Sequence, residues 1–485
     1  MKPAHALALV LIPVLSVAVA AMATWSQRVR DACFVLMVFF AVLVEKMDVN
    51  FFSQAWYRGT TRGVEISLPE IIAFGLIVGC RFGRSDESRR WFWPASLGVI
   101  LCYFFYACLS VIMAERKLFG GFELTKILAS ILVFLASAWY LRSKREWTIL
   151  LVVLAFTVGF EALWAVKQRF ITHLDRVEGT LDHANSLSMY FCLTTPLLLA
   201  GALGGWTRLL RWACAVCALL ATVGLLLTFS RTGIPVFAVV MLGTFITCAS
   251  WHLTTSRVIV RSLIALGLVF VAAAAWQPMK NRYAEATLSE EFLDAHVDGR
   301  GIYLRLAKNI ATDHFFGVGL NNWSYYVSLT YGPQLGFPFT DYDYLTSIYG
   351  TKDDKVFANS YLAAPAHNLA ALTLGELGVP GLLLFLALWF RWFSMGARFL
   401  FDPRGDPRRT MGVGLFFGVC GIFGQSITEW VYRQTPILFT FYILLGALAS
   451  VVASRQRERA EKKSTPVAAA PWVATPSEAL VAGGV

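Results

Sequence analysis

The sequence predicts an all-α, polytopic membrane protein of about 12–13 transmembrane helices, and three observations carry that expectation. Over 485 residues, 57% are hydrophobic and only 15% charged, with a mean hydropathy of +0.59, which is more apolar surface than a soluble core of that length can hide. The apolar residues gather into runs of roughly 17–25, the length a helix needs to cross the hydrocarbon core of a bilayer. Aromatic residues make up 14% of the chain, a composition that excludes a disordered polymer.

Taken in order, the runs predict spans at 5–23, 31–46, 66–82, 91–113, 122–141, 147–166, 185–205, 209–229, 232–250, 258–276, 366–392, 411–430 and 435–453. The first imitates a secretory signal, with Lys2, an apolar run and Ala21-Met22-Ala23. Arg28 and Arg30 follow it, however, and belong on the inner side, so cleavage is not expected. Should one of the first three runs not span, the count becomes twelve with both termini inside.

Charge sets the sides. The segment after Ser454 carries Arg455, Arg457, Arg459, Lys462 and Lys463, which the positive-inside rule assigns to the cytoplasm. Counting back, the loops 24–31, 81–90, 141–147, 206–212, 251–261 and 393–410 fall on the same side, and with the tail they hold more than half of the 42 basic residues. The net charge of +11 therefore reads as topology, and nucleic acid is not an expected partner. The opposite face receives 47–65, 114–121, 167–184, 277–366 and 431–434.

Four regions follow: N-terminal helices to residue 276, a large outer loop at 277–366, C-terminal helices at 367–453, and a basic tail at 454–485 whose segment 464–485 is expected to be disordered. The loop is rich in Tyr and Trp, from Tyr283 through Trp323, Tyr325 and Tyr326 to Tyr349, so it is expected to fold on the outer surface. All nine cysteines lie in or beside apolar runs, and Cys214-x-x-Cys217 reads as helix filling rather than metal or redox chemistry.

Polar residues converge on the outer face in four groups. Ser230-Arg231-Thr232-Gly233 precedes Pro235 at the start of a helix, where free backbone N–H groups and the dipole attract an anion and a guanidinium grips phosphate oxygens. Ala366-His367-Asn368 opens another helix, and an N-terminus disfavours the imidazolium, leaving a base. Arg300 and Arg305 stand in an amphipathic stretch, where one can meet a ligand while the other pairs with Asp298 or Asp313. Glu178 to Asn185, with Arg169 and Arg176 upstream, leads into a helix that Asn185 can cap. Asp341-Tyr342-Asp343 spells an acidic pair of the kind metal-dependent transferases use, but three residues in a Tyr/Asp-rich loop read as chance.

In order and spacing these groups resemble the O-antigen ligases and their relatives, the polysaccharide polymerases and O-linking protein oligosaccharyltransferases. The resemblance covers roughly 175–395 and includes Gly179-Thr180 through Asn185, Ser230 to Gly233, Gly299-Arg300, His314-Phe315-Phe316-Gly317-Val318-Gly319-Leu320 with Asn322-Trp323, and His367-Asn368 with Glu376 to Gly381. It implies a GT-C-class fold with a large periplasmic loop in the bacterial inner membrane. It further implies a donor glycan on undecaprenyl diphosphate and lipid A-core as acceptor.

Arg231, Arg300 and His367 match the family's functional residues, with Arg305, Asn185, Asn368 and Trp323 expected to contact diphosphate or glycan. The chain departs from the family at Ala184, where a proline often stands, and in the aromatic stretch 331–349. No cofactor and no metal is expected, since arginines can neutralise diphosphate and no phosphate-cradling glycine loop is present. A transporter of lipid-linked glycan is the alternative of another class; Glu161 is the main acid expected within a span.

Overall fold

A computed structural model describes residues 3–54, 57–83, 92–249, 280, 301–335, 363–402 and 406–464. The all-α expectation holds. The main helices are α1 (Pro3–Trp25), α2 (Gln27–Val42), α3 (Leu68–Phe82), α4 (Leu97–Met113), α5 (Lys117–Tyr140), α6 (Lys144–Phe170), α7 (Ala184–Leu203), α8 (Arg208–Leu227) and α9 (Gly233–Cys248). They continue with α10 (Gly301–Asp313), α11 (Leu369–Ala397), α12 (Pro407–Ser426) and α13 (Thr435–Ser464). The expected span 258–276 lies outside the described residues. One antiparallel ribbon, β1 (Val49–Phe51) with β2 (Val64–Ile66), pairs Asn50 with Glu65.

Among the described residues, seven helices are long and apolar enough to cross a membrane: α1, α5, α6, α7, α8, α11 and α13. Helices α4 and α9 are apolar but shorter. The protein is a multi-pass membrane protein. Helices α7 and α13 form the centre, with 83% and 89% of their apolar windows buried, whereas α1 lies at the edge with 17% buried. Leu9, Val10 and Val17 on α1, Phe105 and Ile112 on α4, and Val239 on α9 are exposed, as lipid-facing side chains should be.

Because lipid is as apolar as leucine, helices associate here through close backbone approach. Helix α12 carries Gly414, Gly418 and Gly421 along one stripe, and a Cβ built at Gly418 or Gly421 would meet the carbonyl oxygens of Leu193 or Cys192 on α7 at 2.4 and 2.6 Å. Gly75 and Gly79 of α3 meet Val19 and Ala23 of α1 in the same way.

Polar contacts sort the loops into two ends. At one end Arg30 donates to the carbonyl of Ala23 at 2.9 Å, Tyr140 donates to Asp31 at 2.7 Å, Arg408 pairs with Glu458 at 2.5 Å, and Arg455 pairs with Asp402. At the other end Lys46 pairs with Asp182 at 2.9 Å, Arg176 reaches the carbonyl of Thr228, and the ring of His5 lies 5.4 Å from that of Phe51. The two sets group the loops as the count of basic residues groups them, and α1 starts at the end that count expects to be outer.

Helix α11 breaks at Gly378, where φ is 66° and ψ −168°, just before Pro380. A break inside a bilayer frees backbone groups that water cannot reach. Here the segment following α10 satisfies them: Val318 N–H donates to the carbonyl of Gly375 at 3.1 Å, Gly319 N–H to Glu376 at 2.8 Å, and Val379 N–H to Phe315 at 3.0 Å. Tyr106 donates to the carbonyl of Leu377 at 2.8 Å. The motif His314 to Leu320 is thus a splint for the broken helix.

Gly378→Ala should therefore destabilise the protein by about 1–3 kcal/mol, because a side chain is strained in that backbone region and its Cβ would fall 2.1 Å from the Phe315 carbonyl oxygen. Gly98→Ala on α4, where an added Cβ meets nothing within 4 Å, should leave stability unchanged or slightly raised. Thermal unfolding of both variants in detergent checks this; equal melting temperatures would contradict it.

Candidate active site

The outer end of α7 is prepared by α6. Gln168 accepts the N–H groups of Glu178 and Gly179 at 3.0 and 2.8 Å and returns a bond to the Gly179 carbonyl at 2.8 Å. Glu161, fully buried, accepts the Thr180 N–H at 2.9 Å and its hydroxyl at 2.5 Å. Gly179 has φ 69° and admits Glu161 where a Cβ would stand 2.4 Å from its carboxylate. Glu161, the acid expected within a span, thus anchors the Gly179-Thr180 turn.

This turn delivers Arg176, His183 and Asn185. Arg176 donates to the Thr228 carbonyl at 3.3 Å and to the Asn185 side-chain oxygen at 3.1 Å. The Asn185 amide donates to Glu429 at 2.7 Å, and the second oxygen of Glu429 lies 2.9 Å from His367 Nδ1. Glu429 is almost wholly buried, whereas the His367 side chain is 35% exposed, so one edge of the imidazole faces outward.

The sequence-based expectation assigned Asn185 to cap α7; the structure gives that bond to His183, whose Nδ1 accepts the Asn185 N–H at 3.1 Å. Asn185 is released to hold Glu429.

Asn368 caps α11, accepting the Ala371 N–H at 2.8 Å, and donates to the carbonyl of Ile427 at 3.0 Å. These bonds fasten His367 to the α12–α13 connection that carries Glu429. Arg231 is half-buried in the turn between α8 and α9, where Ser230 accepts the Gly233 N–H at 3.2 Å and Gly233 lies against Ser188 of α7. Thr228, held by Arg176, starts the same turn, so Arg231 and Arg176 share this end of the bundle with His367.

The remaining expected residues separate. Arg300 and the pair Asp341 and Asp343 lie outside the described residues. Arg305 is exposed on α10, while Tyr303, two positions earlier, lies with its ring 5.8 Å from that of His367. Two helical residues are about 200° apart, so Arg305 sits on a different face from that contact.

Trp323, expected to meet glycan, is 1% exposed, and its ring fills the gap over Gly375 among Ile302, Leu306 and Ile310. It offers no face to a sugar in this conformation. Among the described residues no three His, Cys, Asp or Glu side chains form a metal-holding group. All nine cysteines are free thiols.

Glu429 and Arg433 were missed. The apolar run expected at 411–430 absorbed Glu429 as its last turn, and only the sequence Thr428-Glu429-Trp430 at the outer edge of that run signals it. Arg176 was noted without a role.

His183 gives the site a pH dependence. Its ring is exposed at the surface, yet loss of water around it is the largest cause that holds its pKa below the ordinary histidine range; Arg176 and His367 act in the same direction and Glu429 against them. The folded state thus binds this proton less readily than the unfolded chain. The capping bond is fully present above the unfolded value, about 6.5, and is lost as pH falls below it. Melting curves between about pH 5 and 8 should show a fall in stability on the acid side, with a cap worth about 0.5–2 kcal/mol at stake. His183→Asn keeps a capping oxygen without a titrating group and should shrink that fall; an unchanged curve would count against the assignment.

No curated protein matches the chain. Residues 216–386, which include Arg231, Arg305, Trp323, His367 and Asn368 but neither Asn185 nor Glu429, match the family described as O-Antigen ligase, and this segment of the chain is similar to that family.

Proposed function

We propose that the protein is an O-antigen ligase that moves a glycan from undecaprenyl diphosphate to lipid A-core at the periplasmic face of the bacterial inner membrane. The family supports a ligase or polymerase type of glycosyl transfer. The observation that carries the finer reading is the set Asn185–Glu429–His367, placed at the bundle end that also holds Arg231 and Arg176.

In this reading His367 donates its Nδ1 proton to Glu429, which leaves Nε2 with a lone pair on the exposed side of the ring. The acceptor hydroxyl loses its proton to Nε2 as its oxygen attacks the anomeric carbon. The bond from that carbon to the diphosphate oxygen breaks on the opposite side, its electron pair leaving with the diphosphate, so the configuration inverts. Glu429 balances the imidazolium that forms.

Charge grows on the phosphate oxygens as that bond breaks, and donors already aimed there lower the barrier. Arg231, beside the first turn of α9, fits this role, with Arg300 as a second donor and Arg305 as a contact further along the diphosphate or glycan. Asn368 acts through position, by fastening α11 to the Ile427 carbonyl. Two guanidinium groups supply the charge a divalent cation would otherwise supply, so turnover is expected without metal. The basic tail after α13 lies on the cytoplasmic side.

His367→Ala should lower transfer by roughly 100- to 10000-fold, the range of general-base help. Arg231→Ala should lower it by about 100- to 1000-fold. Purified protein given a lipid-diphosphate glycan and lipid A-core provides the assay, and native rates in either variant would refute the roles. Activity should survive EDTA; a complete loss restored by magnesium would reject the metal-free reading.

Lipopolysaccharide gels of a deletion strain separate the family's alternatives. A ligase loss removes the ladder, a polymerase loss leaves a single-repeat band, and loss of an O-linking oligosaccharyltransferase leaves the ladder intact. Turnover in detergent, without a membrane gradient, excludes a transporter.

A further inference from the structure

The α12–α13 connection carries Glu429 near its start and Arg433 near its end. Arg433 is buried and spreads its guanidinium between two helices: Nε donates to Glu123 of α5 at 3.0 Å, and Nη1 donates to Glu376 of α11 at 2.6 Å. Its carbonyl accepts Lys126 Nζ at 2.7 Å, and Lys126 pairs with Glu123 at 2.9 Å. The hydroxyl of Thr60 adds a bond to Glu123 at 2.9 Å, and that of Thr61 adds another. Two carboxylates and two cations thus balance inside the protein.

Glu376 lies on α11, the helix whose first turn follows His367. One guanidinium therefore grips both the helix that carries the imidazole and the connection that carries its carboxylate partner. Buried ion pairs add little net stability, because desolvation offsets attraction, so holding a geometry is the role left to this one.

We propose that Arg433 is a positioning residue for the His367–Glu429 pair. Its planar fork clamps α11 to the α12–α13 connection and so sets the separation of imidazole and carboxylate. The proposal rests on the reading of His367 as the base.

Only a fork serves this purpose. A lysine in place of Arg433 keeps the charge balance, but its compact ammonium lacks the paired donors that span two carboxylates on different helices. A cavity of about 30 Å³, lined by Arg433, Tyr103, Thr373 and Tyr442, borders the site and has room for a water beside a shorter cation. Arg433→Lys is therefore expected to fold while releasing the clamp.

Among the described residues, the groups around His367 include Glu429 from the α12–α13 connection, Arg176 and His183 from the segment before α7, and Tyr303 of α10. Arg433 forms no hydrogen bond or ion pair with them in the described structure, so its effect acts on the separation of His367 and Glu429.

The test compares native protein, Arg433→Lys, Glu429→Gln and the double variant, all purified in detergent as monodisperse, helical protein. The expected result for Arg433→Lys is a kcat about 10- to 100-fold lower with donor KM unchanged, as a misplaced catalytic pair produces. Its pH–rate profile should follow that of Glu429→Gln, and the double variant should be no slower than Glu429→Gln alone. A native kcat, or losses that multiply in the double variant, would overturn the proposal.

A readout independent of turnover is the rate at which diethylpyrocarbonate modifies His367, followed on its peptide by mass. Arg433→Lys should shift that rate to the Glu429→Gln value, and a native rate again overturns the proposal. If native protein transfers no glycan, the reading of function fails, while this rate still decides whether Arg433 acts on His367. Should Arg433→Lys misfold, Glu376→Gln, which keeps an acceptor for Nη1 without the charge, should move the same readouts in the same direction by a smaller amount; no movement would overturn the proposal.

Discussion

A helix that breaks inside a bilayer must have its freed backbone groups satisfied by protein, since no water is there to do it. In α11 that requirement falls on the stretch from Phe315 to Gly319, whose amides and carbonyl complete the ladder around Gly378. The outer half of α11 is thereby held as a separate short rod, capped by Asn368 and preceded by His367. The placement of the imidazole depends on this splint. It also explains why a run of small and aromatic residues belongs with the site.

The second constraint is electrostatic. Glu429, Glu161, Glu123 and Glu376 are each about 1% exposed or less, and each has partners to stabilise its charge. Removing one partner from a buried charge costs about 3–5 kcal/mol, so such groups persist only where the surroundings complete them. Glu161 secures a turn and Glu123 joins two helices, while Glu429 alone keeps an oxygen on a partly exposed imidazole. That difference in exposure separates the carboxylate used in the proposed mechanism from those that secure turns and helices.

The helices were legible because each is a local property: the twelve described helices other than the surface helix α10 fall on runs visible in the chain, with starts displaced by a few residues where caps such as Ser143 and Asp406 act, while α13 runs on to Ser464. That Arg231 and His367 share one end of the bundle was legible for the same reason, since both stand where an apolar run begins at the same end. Asn185 was recognised for a different duty, because a capping asparagine and a carboxylate-holding asparagine look alike before the chain folds. Trp323 was expected at the glycan because aromatic composition in a loop does not reveal which rings turn inward.

By itself the sequence determined where the described apolar helices lie and which residue types gather at one end of them, because hydropathy acts on the chain segment by segment. Tertiary structure alone decided that Glu429 meets His367, that Arg176 bridges to Thr228, and that Arg433 joins three elements distant in sequence. Those contacts join residues from tens to several hundred positions apart, and they form only when close-packed glycine faces bring the helices together; no local pattern records which polar groups will then be shut away from water and must find one another.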